Sequence, residues 1–459
     1  MPYLAQGHRT HIPRVPHFMR AEILWLWRRM NANYWFYPAL FALLGAALAF
    51  LCLWLDRSGF ADWLNEVEWI APARPQGASN MLQVIATSMI AVASTVFSIT
   101  IVAVSYASGT YGPRLLTNFM EDKGNQLSLA TFIGTFVYAL TVLRTVRAED
   151  ESATSVADAV ATDLPGFVPQ LSLLVSFGLM AVSVGVLVFF LNHIPSGIRI
   201  NNVLKNIGTR LIEGICKTYP HEGDEDGPGE RPSGTALLAE KPGYVQLIDF
   251  VEMEKIARKC GCTVVLRVRT GDFLHEGLPV LEMCGEPCAD NIQKKLRDCF
   301  TQGFARTPEQ DPQFLIDELV EIGLRALSPG INDPFTAITS LHWLGAAMAQ
   351  LGRRRLVKDI CQDDAAGDCP VLPKPDDFHH YVERSFTAIR SAVATSPIAA
   401  KVMFNVLANA ASTLNSQDRR RALFGEAERL REQARKVLTG PDLEDLEWHF
   451  TSVRDSFTL

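Results

Sequence analysis

Apolar residues crowd into four uncharged runs within the first 195 positions, and beyond them the chain changes to short alternating stretches and then to helical spacing. The runs are residues 35–55, a second placed at 81–108 inside the stretch 75–113 that holds no Asp, Glu, Lys or Arg, and then 126–143 and 170–191. A helix rises about 1.5 Å per residue, so each run suffices to cross about 30 Å of hydrocarbon, the third at the short end of the range. Residues 35–195 are therefore expected to form a transmembrane domain of four helices. None of the four runs carries an ionisable residue in its interior, whereas ion-coupled carriers usually place carboxylates or histidines at that depth.

Past the fourth run, residues 196–242 are expected to hold a helix and then a flexible acidic linker, because 217–241 is rich in Pro, Gly and acids. Residues 243–300 read as a small α/β domain. Strand patterns stand at 244–248 and 263–268 with helical spacing at 252–259 between them, a β-α-β element, and a third strand is expected at 279–283. The phrase Arg269-Thr270-Gly271-Asp272-Phe273-Leu274-His275-Glu276-Gly277-Leu278-Pro279-Val280-Leu281 is similar to the turn of a barrel-sandwich domain. A plain hairpin, with Gly271 and Gly277 supplying unusual backbone angles, is the preferred reading. Helical periodicity holds from Ala289 onward, and residues 301–459 are expected to be a domain of about six helices. Asp311 before Pro312, Asp333 before Pro334, Asp376 or Asp377 before Phe378 and Ser396 before Pro397 each place an acceptor at a helix start. Ser416 suits the cap of a long charged helix, and Gly440-Pro441 opens a last short one.

Charge gives the spans a direction, since Lys and Arg near a span resist translocation. Arg9, Arg14, Arg20, Arg28 and Arg29 precede the first run, Arg114 and Lys123 lie between the second and third, and Arg199, Lys205, Arg210 and Lys217 follow the fourth. The other two loops are acid-rich, with Asp56, Asp62, Glu66 and Glu68 in one and Glu149, Asp150, Glu151, Asp158 and Asp163 in the other. The expected topology has both termini in the cytoplasm, with the α/β unit and the helical domain there too. Residues 1–34 form a cytoplasmic segment in which 18–30, mixing arginines with Trp25 and Trp27, suits a helix at the headgroup level.

Composition adds exclusions. A formal charge of −7 over 459 residues gives no case for nucleic acid. No short apolar segment with a small-residue cleavage site precedes the first span, so no cleavable signal peptide is expected. The nine cysteines, seven or more on the cytoplasmic side of this topology, are expected to be reduced thiols.

Three groups of residues carry candidate chemistry. In the second run Ser88, Ala91, Ser94 or Thr95, Ser98, Ser105 and Ser108 recur at steps of three, four or seven and form one small, hydroxyl-rich face. Such a face packs helices closely or lines a narrow aqueous path in an oligomer. In the helical domain, Arg306, Glu309 and Asp311, and Ser328, Asn332 and Asp333, are candidates for contact with a polar ligand or a second subunit. The helix between the two groups is about 24 Å long, which separates them. Structurally, residues 328–334 also read as a tight interhelical turn capped at both edges. Cys260, Cys262, Cys284 and Cys288 form two close pairs that could offer four thiolates to zinc. Neither pair has the usual two-residue gap, and no metal and no cofactor are expected. His342 reads as a core or interface residue, and His379-His380 could meet a metal with Asp376 or Asp377.

The stretch 94–108 with Tyr111-Gly112-Pro113-Arg114-Leu115-Leu116, the third run from Leu129 to Leu140, Arg306-Thr307-Pro308-Glu309-Gln310-Asp311-Pro312 and above all Ala326-Leu327-Ser328-Pro329-Gly330-Ile331-Asn332-Asp333-Pro334-Phe335-Thr336-Ala337 resemble a widespread family of bacterial predicted membrane proteins, known as domain of unknown function 2254. The resemblance implies a multi-pass protein of the bacterial inner membrane, and it implies no activity.

The expectation for fold is thus an α-helical membrane protein with four transmembrane helices followed by a cytoplasmic small α/β unit and an all-helical domain. For function, the leading expectation is a passive homo-oligomeric channel in the lipid bilayer, weakly cation-preferring, with a gating or ligand-sensing cytoplasmic domain. The alternatives are a membrane-anchored sensor or scaffold for a cytoplasmic partner or small ligand, and a membrane-bound envelope hydrolase.

Overall fold

A computed structural model describes residues 33–60, 74–112, 122–146, 167–223, 231–285, 290–358, 360–361 and 369–457. The headgroup-level helix expected at 18–30, Arg114, most of the acidic loop residues and Cys288 lie outside these residues. The chain divides into two compact units, one of residues 1–109 with 113–198 and the other of 110–112 with 199–459.

The first unit is built from the four apolar helices: α1 (Phe36–Arg57), α2 (Pro75–Tyr111), α3 (Lys123–Leu143) and α4 (Gln170–Ile198). All four are long and apolar enough to cross a membrane. The third run, marginal by length, is the inner helix: 56% of its most apolar window is buried against 22–33% for the others, and its mean hydropathy is lowest at 1.6. A helix shielded by its neighbours needs less apolar surface toward lipid and can carry polar side chains that bond inside the unit. Thr135 and Ser183 share a hydrogen bond of 3.1 Å, and the Tyr138 hydroxyl donates to the Ser172 carbonyl at 3.0 Å. Helices α1 and α3 cross at glycines. A Cβ on Gly45 would collide with the Gly134 carbonyl, and one on Gly134 would come 3.0 Å from the Phe41 carbonyl. Asp56, at the end of α1, caps α4 by accepting from the amides of Leu171 (2.9 Å) and Ser172 (3.0 Å) and from the Ser172 hydroxyl (2.6 Å). That carboxylate satisfies orphan donors and opposes the positive end of the helix dipole.

The second unit begins with α5 (Ile200–Thr218), whose buried face is Val203, Leu204, Ile207, Leu211 and Ile215. Gly208 lies in that face, and a side chain there would strike the Trp343 ring, so the glycine lets two helices approach. Among the described residues seven strands follow: β1 (Thr235–Leu238), β2 (Gly243–Ile248), β3 (Thr263–Leu266), β4 (Phe273–Leu274), β5 (Pro279–Cys284), β6 (Phe300–Gly303) and β7 (Val371–Leu372). They form a four-stranded sheet in the order β1-β5-β3-β7 and a three-stranded antiparallel sheet β4-β2-β6; among the described residues only the β3–β7 pair is parallel. Helices α6 (Phe250–Cys260) and α7 (Asp290–Asp298) belong to this part.

Two readings of the β region change. The β-α-β element exists, yet β2 and β3 sit in different sheets, so α6 carries the chain from one sheet to the other. Strands β3 and β5 do pair as a hairpin, with Leu266 opposite Leu281, but the connection between them is not plain. It leaves the first sheet so that β4 can pair with β2 in the second. Gly271 and Gly277 supply positive φ at 91° and 83°, as expected. Within the stretch read as a linker, Tyr219 is fully buried and 235–238 is strand β1.

The remaining helices are α8 (Pro312–Ala326), α9 (Pro334–Leu351), α10 (Phe378–Val382), α11 (Ala388–Val393), α12 (Pro397–Ser412), α13 (Gln417–Arg435) and α14 (Pro441–Arg454); a π-helical turn, Glu383–Thr387, joins α10 to α11. Asp333, Asp377, Ser396 and Ser416 cap their helices as the sequence suggests. Asp311 does not: it makes no cap bond, because its carboxylate is committed to Arg306. Asp376 is buried away from the cap, where it accepts from the Tyr219 hydroxyl at 2.5 Å; Tyr219 and Tyr381 share a further bond of 2.8 Å. Burial raises both phenols, and each other's proximity and Asp376 add to this for Tyr219. Arg269 Nε lies 3.0 Å from Asp376 as an ion pair without hydrogen-bond alignment.

Candidate functional site

Two places stand out: the outer face of α2 and a cleft in the second unit. On α2 the buried positions Ala78, Leu82, Ile85, Met89, Ala93, Val96, Thr100, Ala103 and Ala107 step by three and four, and this seam faces the rest of the first unit. The opposite face is the hydroxyl stripe. Ser88, Ser94, Thr95, Ser98 and Ser105 are all exposed, with Ala91 among them. Ser94 donates to the Ile90 carbonyl at 2.9 Å and Thr95 to the Ala91 carbonyl at 3.0 Å. Donors satisfied this way carry no hydrogen-bonding penalty in an apolar setting, while their oxygens keep lone pairs for another partner. Among the described residues the stripe takes no part in close packing, since its side chains are exposed, whereas α1 and α3 meet tightly at Gly45 and Gly134.

The segment 306–312 is a joint between the β sheets and α8. Arg306 pairs with both Asp311 and Asp317, and Arg384 grips Asp317 with two bonds of 2.6 and 2.7 Å. Burial opposes the charge on Arg306, but the two aspartates outweigh it and raise its pKa; burial lifts the Asp311 carboxyl despite Arg306. A Cβ on Gly271 would strike the Asp311 carboxylate, Thr270 donates to the Gln310 carbonyl at 2.6 Å, and the Gln310 amide bonds both backbone groups of Ile248 at 2.9 and 3.1 Å. Gln310 thus acts as a strand partner for β2. Arg306 and Asp311 are structural here, and Glu309 is the exposed member of the trio.

Pro308 to Pro312 and Leu315 form one wall of a cleft whose other wall is α5, through Arg210, Glu213, Gly214, Lys217 and Thr218. The cleft holds about 660 Å³ of empty space, including the solvent at its mouth. Glu309 and Asp311 are the candidates that reach it. Arg210, Glu213 and Lys217 were missed as site residues because, in sequence, they register only as basic flank and amphipathic helix.

The second motif, residues 328–333, is a tight turn between α8 and α9, the structural reading of it. Ser328 donates through its hydroxyl to the Arg325 carbonyl at 2.6 Å and accepts at its carbonyl from the amides of Ile331 (3.0 Å) and Asn332 (2.9 Å). Asn332 takes φ 48°, the only positive value at a non-glycine among the described residues. Asp333 accepts from the Thr336 amide at 3.2 Å and its hydroxyl at 2.6 Å. The two motifs are at opposite ends of α8 and share no site.

Among the described residues no cluster of three His, Cys, Asp or Glu side chains could hold a metal. Cys260, Cys262 and Cys284 are thiols, and burial raises the Cys284 thiol with Glu282 adding to the effect; Cys288, the fourth of the set, lies outside the described residues. Cys361 and Cys369 form a disulfide, so the expectation of nine reduced thiols does not hold here. Their Cα atoms lie 5.9 Å apart where the chain enters β7, a proximity that sequence spacing did not signal. His342 is exposed, so it is not a core residue. His379 pairs with Asp418 at 3.1 Å while the buried Nε2 of His380 has no partner, so the two histidines diverge.

Four long apolar helices joined to a unit of small sheets and helices define a multi-pass α-helical membrane protein. The chain belongs to the family of predicted membrane proteins called domain of unknown function 2254, which matches residues 31–409. It is 30% identical over 361 residues to an uncharacterized protein of Mycobacterium bovis and to uncharacterized proteins of two strains of Mycobacterium tuberculosis. These matches cover 76% of this chain and 66% of each relative, so the chain spans just under two thirds of the relatives' length. No solved structure matches.

Proposed function

We propose that the protein is a passive homo-oligomeric channel of the bacterial inner membrane, in which α2 of each copy turns its hydroxyl stripe toward a shared axis and the second unit, in the cytoplasm, senses a ligand. The observation that carries this reading is the exposure of Ser88, Ser94, Thr95, Ser98 and Ser105 on the side of α2 opposite its buried seam. In an oligomer those oxygens, with the Ser94 and Thr95 protons already given to backbone carbonyls, face water or a permeating ion, while the aliphatic remainder of the bundle faces lipid. The charge flanks support a cytoplasmic second unit. The acidic outer loops in that topology favour cations. The test is flux: purified protein in liposomes should pass monovalent cations and run as an oligomer in detergent, and a monomer without flux overturns the reading.

A second reading keeps the spans as anchor and gives function to the cleft. Its support is the cleft itself, in which Arg210, Glu213 and Lys217 of α5 stand opposite Glu309 and Asp311, a mix of charges suited to a polar ligand. Under this reading Ser98→Leu leaves function intact and Glu309→Lys abolishes ligand response.

A further inference from the structure

At one end of the first unit, Thr100 of α2, Asp122 and Asn125 at the start of α3, and His193 of α4 line a nook with room for a single water-sized guest. The fourth apolar run was read as ending at Leu191, but α4 continues to Ile198 and brings His193 into the helix. His193 stacks on Phe189 with ring centres 5.0 Å apart, and its Nε2 meets both oxygens of Asp122 at 2.9 and 3.0 Å. A side chain at Gly124 would collide with that imidazole, so the glycine makes its seat. Asp122 also accepts from the Asn125 amide at 3.2 Å, as the N-cap of α3.

The unexplained atom is the Asn125 Oδ1. Asn125 is 2% exposed, and this oxygen is buried without a hydrogen-bond partner. Thr100 is 3% exposed and gives its hydroxyl proton to the Val96 carbonyl at 2.9 Å, so it too offers only lone pairs. Beside the His193 imidazole, whose Nε2 is taken up by Asp122, the nook therefore presents an amide oxygen, a hydroxyl oxygen and a carboxylate. Three oxygens that include a carboxylate suit a hard cation. A divalent ion needs about six ligands and usually more than one carboxylate, which this space does not supply.

We propose that this nook binds one sodium-sized monovalent cation, held by Asn125 Oδ1, Thr100 Oγ1 and Asp122, and that the cation ties α2 to α3. The site does not depend on the pore reading, since it lies within one chain. The test is thermal unfolding of the full-length protein in detergent, with NaCl, KCl or N-methyl-D-glucamine chloride at equal ionic strength. Sodium should raise the midpoint saturably by about 2–4 °C over N-methyl-D-glucamine, potassium by less, and Asn125→Ala and Asp122→Asn should remove the difference. Thr100→Val is the milder variant: it should unfold near the wild-type midpoint without sodium and need a higher sodium concentration for the same rise. Equal midpoints in sodium and N-methyl-D-glucamine for the wild type, equal protection by potassium, or an undiminished sodium response in Asn125→Ala would overturn the proposal.

Discussion

At the scale of single residues, the family motifs prove to be devices for joining elements. Asn332 occupies the left-handed region in a turn closed on both sides, and a β-branched residue fits that region poorly. Asn332→Gly should leave stability within about 0.5 kcal/mol, while Asn332→Val should cost about 1–2 kcal/mol, read by thermal or denaturant unfolding of the purified protein. Arg306 neutralises two aspartates at 11% side-chain exposure. Arg306→Ala leaves Asp311 buried and charged and should cost about 3–5 kcal/mol, and adding Asp311→Asn should recover part of that loss. Glu447 accepts from Arg431 and Arg435, which hold its carboxyl below the usual range although burial alone would raise it. A carboxyl depressed in the folded state stabilises above its unfolded pKa and loses that contribution as pH falls through the folded one. Glu447→Gln should therefore cost up to about 1 kcal/mol at pH 7, since the pair is partly exposed, and the cost should shrink as the pH falls below the ordinary carboxylate range.

At the scale of elements, how far the sequence could be read depended on whether the signal was local. Spans 35–55, 81–108, 126–143 and 170–191 were legible because hydrophobic length is local, and each matches an observed helix, the first but for Trp35, which is the N-cap; the caps at Asp333, Asp377, Ser396 and Ser416 were legible for the same reason. Strands β1, β4, β6 and β7 were not, being two to four residues long and specified by partners far along the chain. Asp311 holds the N-cap position as read but makes no cap bond, because its carboxylate is taken by Arg306, which also pairs with Asp317. The stripe on α2 was visible from spacing, but its exposure was not, since a helical wheel does not say which face meets the bundle. Likewise the weak hydropathy of the third span told of its burial only once Gly45 and Gly134 were seen to meet. Gly134→Leu should separate α1 from α3 and lower the detergent melting midpoint by several degrees, whereas the same change at Gly178, where a Cβ would meet nothing, should leave it unchanged.

At the scale of the whole molecule, α2 has a face that the described residues of one chain leave uncovered. Such a face is completed by other copies around an axis or remains against lipid, and these outcomes differ in water access. Single cysteines introduced at Ser94, Ser98 and Ser105, with exposed Phe50 of α1 as the comparison, can be probed in liposomes by a charged, membrane-impermeant methanethiosulfonate. If the stripe faces a water-filled axis, the three serine positions react and the Phe50 position does not. A stripe as unreactive as Phe50 overturns the channel reading.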